Sequence, residues 1–402
     1  MRQIVVGALK VAFAALALAG PSSPGAAQDL REFVVGYLEG ARPEEVEWGR
    51  HPADMGHMPD FVPHRPVAGA ERGVNDAQHL GRLMKIRYVL EHRHGAGAGE
   101  LTAALKNLAE QRRAKIFLID APGPVVAEVA KASAGMDLLL FNVAAEDGAL
   151  RNEWCQPHLY HTIPSHAMLM DSLVQYLMVR KWPRVLVLTG PDKRDEAVAK
   201  AFERAAKRFG AKIADVRSFL LTQDPRAREV NRVEQLTSLE DYDVVFVADA
   251  HGEFGYQIPY RTVLPRPVIG VTGLVPRAWH WSYLRHGAPQ VNSRFEKVYD
   301  RRMSDADWAA WIAIKVVSEA ILRTKSTEVA DIAEYLRDQS IRLDGFKGGP
   351  HSFRPWNNQM RQKVLLVTRN WVVAVAPLPA FLHAVNALDT LGYDERDSKC
   401  RF

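Results

Sequence analysis

The chain has 402 residues, of which 47% are hydrophobic and 25% are charged, and its formal net charge is +5 at pH 7. A chain of this length and composition can bury a large hydrophobic core, and it suggests two domains. Charges of both signs are mixed along the chain without a long basic run, which argues against nucleic acid as a partner.

The N-terminal segment has the features of a secretory signal peptide. Arg2 precedes a mostly apolar run at 4–19, which Lys10 interrupts, and Gly25-Ala26-Ala27 supplies the small residues that a signal peptidase recognises. The apolar stretch after Lys10 is shorter than the roughly 20 residues that a membrane-spanning helix needs. The sequence therefore predicts a cleaved signal at 1–27 and an exported mature protein.

The chain contains two cysteines, Cys155 and Cys400. In an oxidising compartment such a pair favours a disulfide. A zinc site is an alternative, because His158 and His161 lie close to Cys155, but Pro157 and the lack of a second ligand pair argue against it. Two unpaired buried thiols are the other alternative.

The segment after the signal alternates strands and helices, as is typical of a parallel α/β sheet. The expected elements are a strand at 33–38, a loop at 42–69, helices at 73–92 and 101–111, a strand at 115–120, a helix at 125–133 and a strand at 137–143. The loop contains side chains that suit copper, although an irregular surface loop is the favoured interpretation. These side chains are His51, Met55, His57, Met58 and His64.

Three glycines, Gly95, Gly97 and Gly99, nearly form a dinucleotide-binding fingerprint. That fingerprint requires a strand before the glycines and a phosphate-facing helix after them. The residues before Gly95 are interpreted as the charged end of a helix, so the glycines predict a flexible turn.

The stretch 182–219 predicts a complete strand, helix, strand unit. Its first strand, at 185–189, ends before Gly190. Asp192 can cap the helix, and Gly210 can end it in the left-handed conformation. The chain returns as a strand at 212–216, so this unit indicates a second parallel α/β sheet.

The remaining elements predict two lobes between which the chain crosses three times, at 145–165, 259–267 and 324–327. Ser165 and Ser304 are expected to cap helices at 165–180 and 305–323. The expected lobes are 28–145 with 265–325 and 150–260 with 327–380, followed by a tail, 381–402, that returns toward the hinge. The predicted fold class is α/β, with two doubly wound parallel-sheet lobes joined by three hinge crossings.

Seven stretches of the chain carry a resemblance to a known family. They are LLLFNVAAEDGALRNEWC at 138–155, HTIPSHAMLMDSLVQYL at 161–177, RAAKRFGAKI at 204–213, RPVIGVTGLVPRAWHW at 266–281, DWAAWIAIKVVSEAI at 307–321, FKGGPHSFRPWNNQMRQ at 346–362 and LDTLGYDERDSKC at 388–400. With these stretches the chain is similar to type I periplasmic binding proteins of the leucine-binding class, and within it to the substrate-binding component of the ABC transporter system associated with PQQ-dependent alcohol dehydrogenases. The resemblance covers nearly the whole mature chain except 40–70.

The resemblance implies a monomeric periplasmic protein that closes on a small molecule and delivers it to an inner-membrane ABC permease. In leucine-type binders, loops after the third and fourth strands hold the carboxylate of the amino acid. Here those loops are 121–124 and 142–145, and a serine-rich loop is missing, which argues against an unmodified α-amino acid. Asp249 could substitute for the family's acidic partner of the ammonium group.

The cleft is expected between the carboxyl ends of the two sheets. Its residues suit a small polar organic ligand with an apolar or ring portion, and a single carboxylate, Asp249, cannot hold a hard cation, so no metal ligand is assigned. The family context adds a compound of quinoprotein alcohol oxidation, with a chelated lanthanide or a non-binding scaffold as alternatives. The candidate ligand-binding residues are Pro122, Gly123, Phe141, Asn142, His161, Ser165, Asp249, His251, Thr272 and Trp279.

An enzyme is disfavoured, because the chain has no GxSxG, HExxH or Walker phosphate loop. Ser165 and His166 are adjacent, whereas a nucleophile and its base must meet in space. Asp249 and His251 could form an acid–base pair, but capping and lining a loop is the favoured role. No cofactor is expected.

Overall fold

The computed structural model describes residues 30–41, 66–221, 224, 226, 229–250, 252 and 254–402. The expected signal peptide at 1–27, the His and Met side chains of the 42–69 loop, and candidate His251 lie outside the described residues. Within these ranges, no helix is long and apolar enough to cross a membrane.

Strands and helices alternate through most of the described chain. The strands are β1 Arg31–Gly40, β2 Ile86–Gly95, β3 Ile116–Asp120, β4 Leu139–Asn142, β5 Leu159–His161, β6 Arg184–Thr189, β7 Lys212–Ser218, β8 Val244–Ala248, β9 Val268–Gly270, β10 Val275–Arg277, β11 Leu343–Asp344, β12 Pro350–Phe353, β13 Met360–Arg361, β14 Val364–Thr368 and β15 Trp371–Ala376. The helices are α1 Val67–Leu83, α2 Ala98–Arg112, α3 Gly123–Ala132, α4 His166–Arg180, α5 Lys193–Phe209, α6 Val233–Leu236, α7 Ile258–Arg261, α8 Ala288–Tyr299, α9 Asp305–Thr324 and α10 Val329–Arg337.

The first lobe is built on a parallel sheet with the strand order β2-β1-β3-β4-β5. Alternate residues of a strand point to opposite faces. Accordingly Val35 and Tyr37 face a core shared with α1 and α9, while Val34 and Leu38 face a core shared with α2 and α3. Both faces are therefore covered by helices.

The second lobe repeats this plan with a parallel sheet of order β7-β6-β8-β9. Val185 and Val187 face a core shared with α4 and α5, and Leu186 and Leu188 face the core on the other side. The predicted α/β class with two doubly wound parallel sheets is confirmed.

Helix ends were predicted accurately where a capping side chain marks them. Ser165 accepts a hydrogen bond from Met168 N at the start of α4. Asp192 and Ser304 form capping boxes at the starts of α5 and α9, and Gly210 ends α5 with a φ of 86°. These are local interactions between neighbouring residues, so the sequence alone contains them.

A third, antiparallel sheet of order β10-β14-β15 lies between the two lobes. In β14, Leu365 and Val367 pack in the first-lobe core, while Val364 and Leu366 pack in the second-lobe core. The chain passes between the cores three times: from β5 to α4, from β9 through β10, and before β14. We call β10, β14 and β15 the hinge sheet.

Buried hydrogen bonds connect the three crossings. Gln362 Nε2 donates to Thr162 O at 2.7 Å, which joins the third crossing to the first. Lys347 Nζ donates to Gln362 Oε1 at 2.6 Å and to Ala278 O at 2.9 Å. The bond to Ala278, which directly follows β10, connects the second crossing to the same network. Burial lowers the pKa of Lys347 well below its usual value. Because all three crossings share one polar network, they cannot move independently without breaking buried hydrogen bonds.

Three of the expected lobe boundaries need correction. The strand β9 was placed in the first lobe, but it pairs with β8 in the second sheet. The helix α10 was placed in the second lobe, but Ile332 and Leu336 pack in the first-lobe core. Leu150 and Leu159 also pack in the first lobe. The order of strands and helices along the sequence does not show in which of the two cores the apolar face of an element such as β9 or α10 packs.

The expected helix at 73–92 is wrong in its second half. The helix α1 ends at Leu83, and Ile86–Gly95 is a strand that pairs with β1 over its whole length. Gly95 therefore ends β2, Gly97 precedes α2 and Gly99 lies in the first turn of α2. The carboxylate of Glu100 accepts a hydrogen bond from Ala96 N at 2.9 Å, and its negative charge disfavours a phosphate at this turn.

The C-terminal tail connects the two lobes. Cys155 and Cys400 form the expected disulfide, with their Cα atoms 5.8 Å apart. Upstream in the tail, Leu391 packs in the second-lobe core, and Gly392 N donates to Asp171 Oδ2 of α4 at 2.7 Å. The tail is thus anchored to the second lobe at one end and to a first-lobe segment at the other.

Candidate functional site

The candidate site lies at the carboxyl ends of the parallel strands. In an open α/β sheet, ligands bind in the crevice outside these ends, at the point where the strand order reverses. In the order β2-β1-β3-β4-β5 this point lies between β1 and β3. The side chains that end β1, β2 and β3 are therefore the first candidates.

Three strands end in a row of polar side chains. Glu39 of β1 is in register with His94 of β2 on one side and with Asp120 of β3 on the other. His92 and Tyr37 form the in-register pair two residues earlier on the same face. This polar row continues the face whose lower part, Phe33 and Val35, packs in the first-lobe core.

The side chains of this row contact one another. Glu39 Oε2 lies 2.7 Å from His92 Nε2 and 3.6 Å from His94 Nδ1. The two imidazole rings are 4.2 Å apart between centroids. The Tyr37 hydroxyl donates to Asp120 Oδ2 at 3.1 Å, and its ring meets the His92 ring edge-on at 5.2 Å.

A further acidic side chain, Asp147, lies at the loop after β4. A Cβ atom at Gly123, the first residue of α3, would overlap the carboxylate of Asp147. A helix N-terminus carries partial positive charge, so a carboxylate is favoured at this position. Asp147 thus lies where the loops after β3 and β4 meet.

Buried Arg151 holds the loop that carries Asp147. Its guanidinium donates to Ala145 O at 2.7 Å, Asp147 O at 3.0 Å and Ile163 O at 3.0 Å, and also to Gln359 Oε1 at 2.9 Å. Burial lowers the pKa of Arg151 to about 10, so it keeps its charge at neutral pH. The loop is therefore fixed to the first and third crossings.

His166 begins α4 beside the same loop. Its Nε2 atom lies 3.3 Å from Glu146 Oε2, and its backbone N donates to Glu146 O at 2.8 Å. Burial lowers the pKa of His166 to about 4, with the charge of Arg151 acting in the same direction and that of Asp147 opposing it. The imidazole is therefore neutral at pH 7.

Five of the predicted residues lie together around the loops after β3, β4 and β5. Pro122 and Gly123 start α3, and Ser165 caps α4. Asn142 accepts hydrogen bonds from Ala144 N and Ala145 N and donates to Ala145 O. His161 Nδ1 lies 3.2 Å from Asn142 Nδ2, and burial lowers the pKa of His161 well below its usual value. Both polar side chains are occupied in shaping the first crossing.

Two predicted aromatic side chains face the core instead of the cleft, which corrects the expected orientation. Phe141 is fully buried and stacks on Tyr160 with ring centroids 5.6 Å apart. Trp279 stacks on Trp308 at 6.0 Å, and its Nε1 donates to Asn292 Oδ1 at 2.8 Å. Their apolar surface is already covered by the first-lobe core.

Two carboxylates at the carboxyl edge of the second sheet are bound by the backbone: Asp249 directly follows β8, and Asp195 lies in the first turn of α5. Asp249 is 1% exposed and accepts hydrogen bonds from Gly252 N at 3.0 Å and Gly255 N at 2.8 Å. Asp195 accepts from Ala250 N at 2.5 Å, and burial raises the pKa of Asp195. Thr272 follows β9 and is half-buried. Asp249 therefore shapes its own loop.

The sequence does not single out Glu39, His92 or His94 as site residues: Glu39 directly follows the predicted strand at 33–38, and the segment that carries the two histidines is predicted as a helix and its charged end. In a strand, residues two apart lie on the same face, so His92 and His94 point the same way. The stretch IRYVLEHRHG, with β-branched and aromatic residues before EHRH, carries this signal. Recognition of β2 as a strand would have placed both histidines at its carboxyl end, beside the end of β1.

No protein-family model matches the chain, and no curated protein matches it. Among solved structures, it is similar to a branched-chain amino acid ABC transporter periplasmic ligand-binding protein from Burkholderia xenovorans LB400 (TM-score 0.68, 12% identity, 92% of this chain and 99% of that one). It is also similar to LivJ from Streptococcus pneumoniae in complex with isoleucine (0.64, 14%, 86% and 99%). A third is a solute-binding protein from Rhodopseudomonas palustris BisB5 in complex with 3,4-dihydroxybenzoic acid (0.62, 13%, 84% and 93%). The chain therefore has the fold of a type I periplasmic binding protein.

Proposed function

We propose that this protein is the periplasmic solute-binding component of an ABC transporter and that its lobes close on a small polar organic molecule. The observation that carries the proposal is the hinge sheet, whose strand β14 packs alternate side chains into the two cores. Such an element lets two rigid lobes rotate about a fixed axis. The similar solved structures include ABC substrate-binding proteins, which supports the same role.

The charge of the ligand group that binds near Gly123 can be inferred from the carboxylate of Asp147 at that position. In leucine-type binders, the loops after the third and fourth strands hold the ligand's carboxylate. A second carboxylate at this position would be repelled by Asp147, since like charges at close range disfavour one another. We therefore expect a neutral or cationic polar group there, which makes an alcohol or aldehyde a better candidate than an α-amino acid.

We further propose that the ligand belongs to PQQ-dependent alcohol oxidation, as the sequence resemblance implies, and that the monomeric protein delivers it to an inner-membrane permease. PQQ itself is less suitable, because it carries several carboxylates. A chelated lanthanide and a non-binding scaffold remain the alternatives, and no contact among the described residues favours either over an organic ligand.

A thermal-shift and calorimetric screen tests this proposal. The mature protein is titrated with alcohols, aldehydes, carboxylates, PQQ and branched-chain amino acids. A ligand at a hundredfold its dissociation constant should add about 2.7 kcal/mol to the free energy of unfolding. Small-angle scattering on the same samples measures whether the lobes close.

Two matched variants locate the binding site. Asp147→Asn removes the proposed charge, and we expect it to improve binding of carboxylates relative to alcohols. Asp137→Asn removes an exposed carboxylate at the opposite end of the same sheet, where it pairs with Lys115 at 3.0 Å, and it should change no affinity. Equal affinities in both variants would contradict the assigned site, and a panel without any ligand or closure would contradict the transport role.

A further inference from the structure

We propose that Glu39, His92 and His94 bind a divalent transition-metal ion at the carboxyl edge of the first sheet. This metal site is a separate property from the solute-binding role, and it would stand if that role were disproved. It rests on the geometry of three side chains, on their donor chemistry and on their exposure.

The geometry suits a shared ion. Each side chain offers one donor atom, and the three donor atoms all lie within 4.8 Å of one another. Zinc–nitrogen and zinc–oxygen bonds are about 2.0–2.2 Å long, so donors on a tetrahedral ion are separated by roughly 3.3–3.6 Å. The separations of Glu39 Oε2 from His92 Nε2, 2.7 Å, and from His94 Nδ1, 3.6 Å, bracket that value. Small side-chain rotations are sufficient to bring the three donors around one ion.

The backbone holds these side chains on rigid elements. The strands β1 and β2 pair in parallel over ten residues without a register shift, and Glu39 and His94 are in register. Arg93, between the two histidines, forms an ion pair with Glu91 at 3.1 Å. Ligands on paired strands are positioned before an ion arrives, which lowers the entropic cost of binding.

An ion pair alone does not account for the cluster. A protonated His92 beside Glu39 would explain the 2.7 Å contact, but His94 Nδ1 also lies 3.6 Å from the same carboxylate oxygen. Two imidazolium groups with ring centroids 4.2 Å apart would repel each other. A divalent ion with both imidazoles neutral satisfies the same three side chains.

The donor set selects the class of metal. Two imidazoles and one carboxylate suit Zn²⁺, Cu²⁺, Ni²⁺ or Co²⁺, whereas Ca²⁺ takes six or more oxygen ligands. The side chain of Glu39 is 10% exposed, that of His92 28% and that of His94 59%. The site therefore has a buried carboxylate and an open side, where water or a polar ligand group completes the coordination.

Direct binding measurements test the site. The tag-free mature protein is stripped with EDTA and titrated with Zn²⁺ in competition with a chromophoric chelator. The visible absorption of Co²⁺ gives a second readout, because it changes when imidazole and carboxylate replace water. We expect one tightly bound ion per chain and a Co²⁺ spectrum of low coordination number.

Three variants decide whether the ion is bound by these residues. We expect Glu39→Gln and His94→Gln each to weaken Zn²⁺ binding by at least about tenfold, which is the effect of losing even an outer partner of a metal ligand. His79→Gln, at an exposed histidine of α1, is the matched control and should bind as the wild type does. His94 is mostly exposed, so its variant should fold even if the Glu39 variant does not.

Two results would overturn the proposal. One is a wild-type protein that binds no Zn²⁺ or Co²⁺ after stripping. The other is an ion whose affinity is the same in His94→Gln as in the wild type, which would place it at other residues. The solute screen titrates organic ligands, and a repeat of it in the presence of EDTA keeps its outcome independent of any bound metal, so failure of the two proposals can be told apart.

Discussion

The carboxyl edges of the two sheets differ in how their charged side chains are used. At the edge of the second sheet, Asp249 and Asp195 accept hydrogen bonds from backbone N–H groups and are fully buried. At the edge of the first sheet, His92 and His94 are partly exposed, and both approach the carboxylate of Glu39. The same strand-end position thus stabilises loops in one lobe and presents ligating groups in the other.

This difference indicates a division of labour between the lobes. A carboxylate that accepts two backbone hydrogen bonds has little capacity left for a ligand, because replacing those bonds leaves buried donors unsatisfied. An exposed imidazole pays no such penalty. We therefore expect the first lobe to make the polar contacts that select a ligand, while the second lobe closes over it.

The largest expected effect comes from the tail that joins the two lobes. Replacing Cys400 with Ser removes a link between positions 245 residues apart, and the chain-entropy model gives about 5 kcal/mol for a loop of that size. Denaturant titration of the oxidised wild type and the variant measures the difference. Without this disulfide the carboxyl edges of the two sheets should also separate more widely. Small-angle scattering detects such a separation.

The matched control for this experiment is the partner cysteine. Cys155→Ser should destabilise the protein as much as Cys400→Ser, and the double variant should lose no more than either single variant, since all three remove the same bond. A loss below about 1 kcal/mol in each variant would mean that the tail contributes little to the stability of either lobe.

A smaller effect should separate the lobes by their response to acid. His351 and His280 lie in or beside the first-lobe core, and burial lowers the pKa of His351 to about 3 and that of His280 to about 4, from an ordinary value of 6.5. Between those values and 6.5 the unfolded chain binds protons that the folded chain does not. The contribution of these two histidines to the free energy of unfolding is therefore fully present above pH 6.5, and it is lost as the pH is lowered toward 4.

His351 alone should account for about 3 kcal/mol of this loss by pH 4. We expect the fluorescence of Trp308, whose ring lies 5.9 Å from His351, to report unfolding of the first lobe earlier than Trp182 reports the second. Selective Trp→Phe variants distinguish the two signals. In His351→Gln the pH dependence should be shallower, while His79→Gln should leave it unchanged; equal slopes in both variants would refute the assignment.

Much of the fold could be predicted because its signals are local. The caps at Ser165, Asp192 and Ser304 and the left-handed end at Gly210 depend on residues within a single turn. The strand, helix, strand unit at 182–219 was complete for the same reason. Alternation of such units along the chain was sufficient to predict two parallel sheets.

The candidate site was less predictable because it depends on which face each side chain joins. Met84 and Tyr88 are four residues apart and imitate a helical stripe, so the strand that carries His92 and His94 was missed. Phe141 and Trp279 end or follow strands, as cleft residues do, but their rings pack inward. Deciding between the two faces requires knowledge of how α9 and α10 cover the sheet, which no local pattern contains.

The smallest effect tests whether the edge of the second sheet is structural. In Asp249→Asn, the amide NH₂ replaces an oxygen that accepts from Gly252 N or Gly255 N, so one buried backbone donor loses its acceptor. The expected cost is about 1–3 kcal/mol in the free energy of unfolding. Denaturant titration measures this cost, and calorimetry with whichever compound the screen identifies measures affinity on the same protein.

The role of Asp249 determines how the free energy of unfolding and the ligand affinity change together in this variant. If Asp249 only shapes its loop, the variant loses stability but keeps its ligand affinity within about twofold at a temperature where both proteins are folded. The sequence had suggested instead that Asp249 pairs with a ligand's ammonium group. In that case affinity would fall by more than about tenfold, because truncating one member of a buried charge pair costs 2 kcal/mol or more. A large loss of affinity would thus return the polar contact to the second lobe and end the division of labour proposed for the two edges.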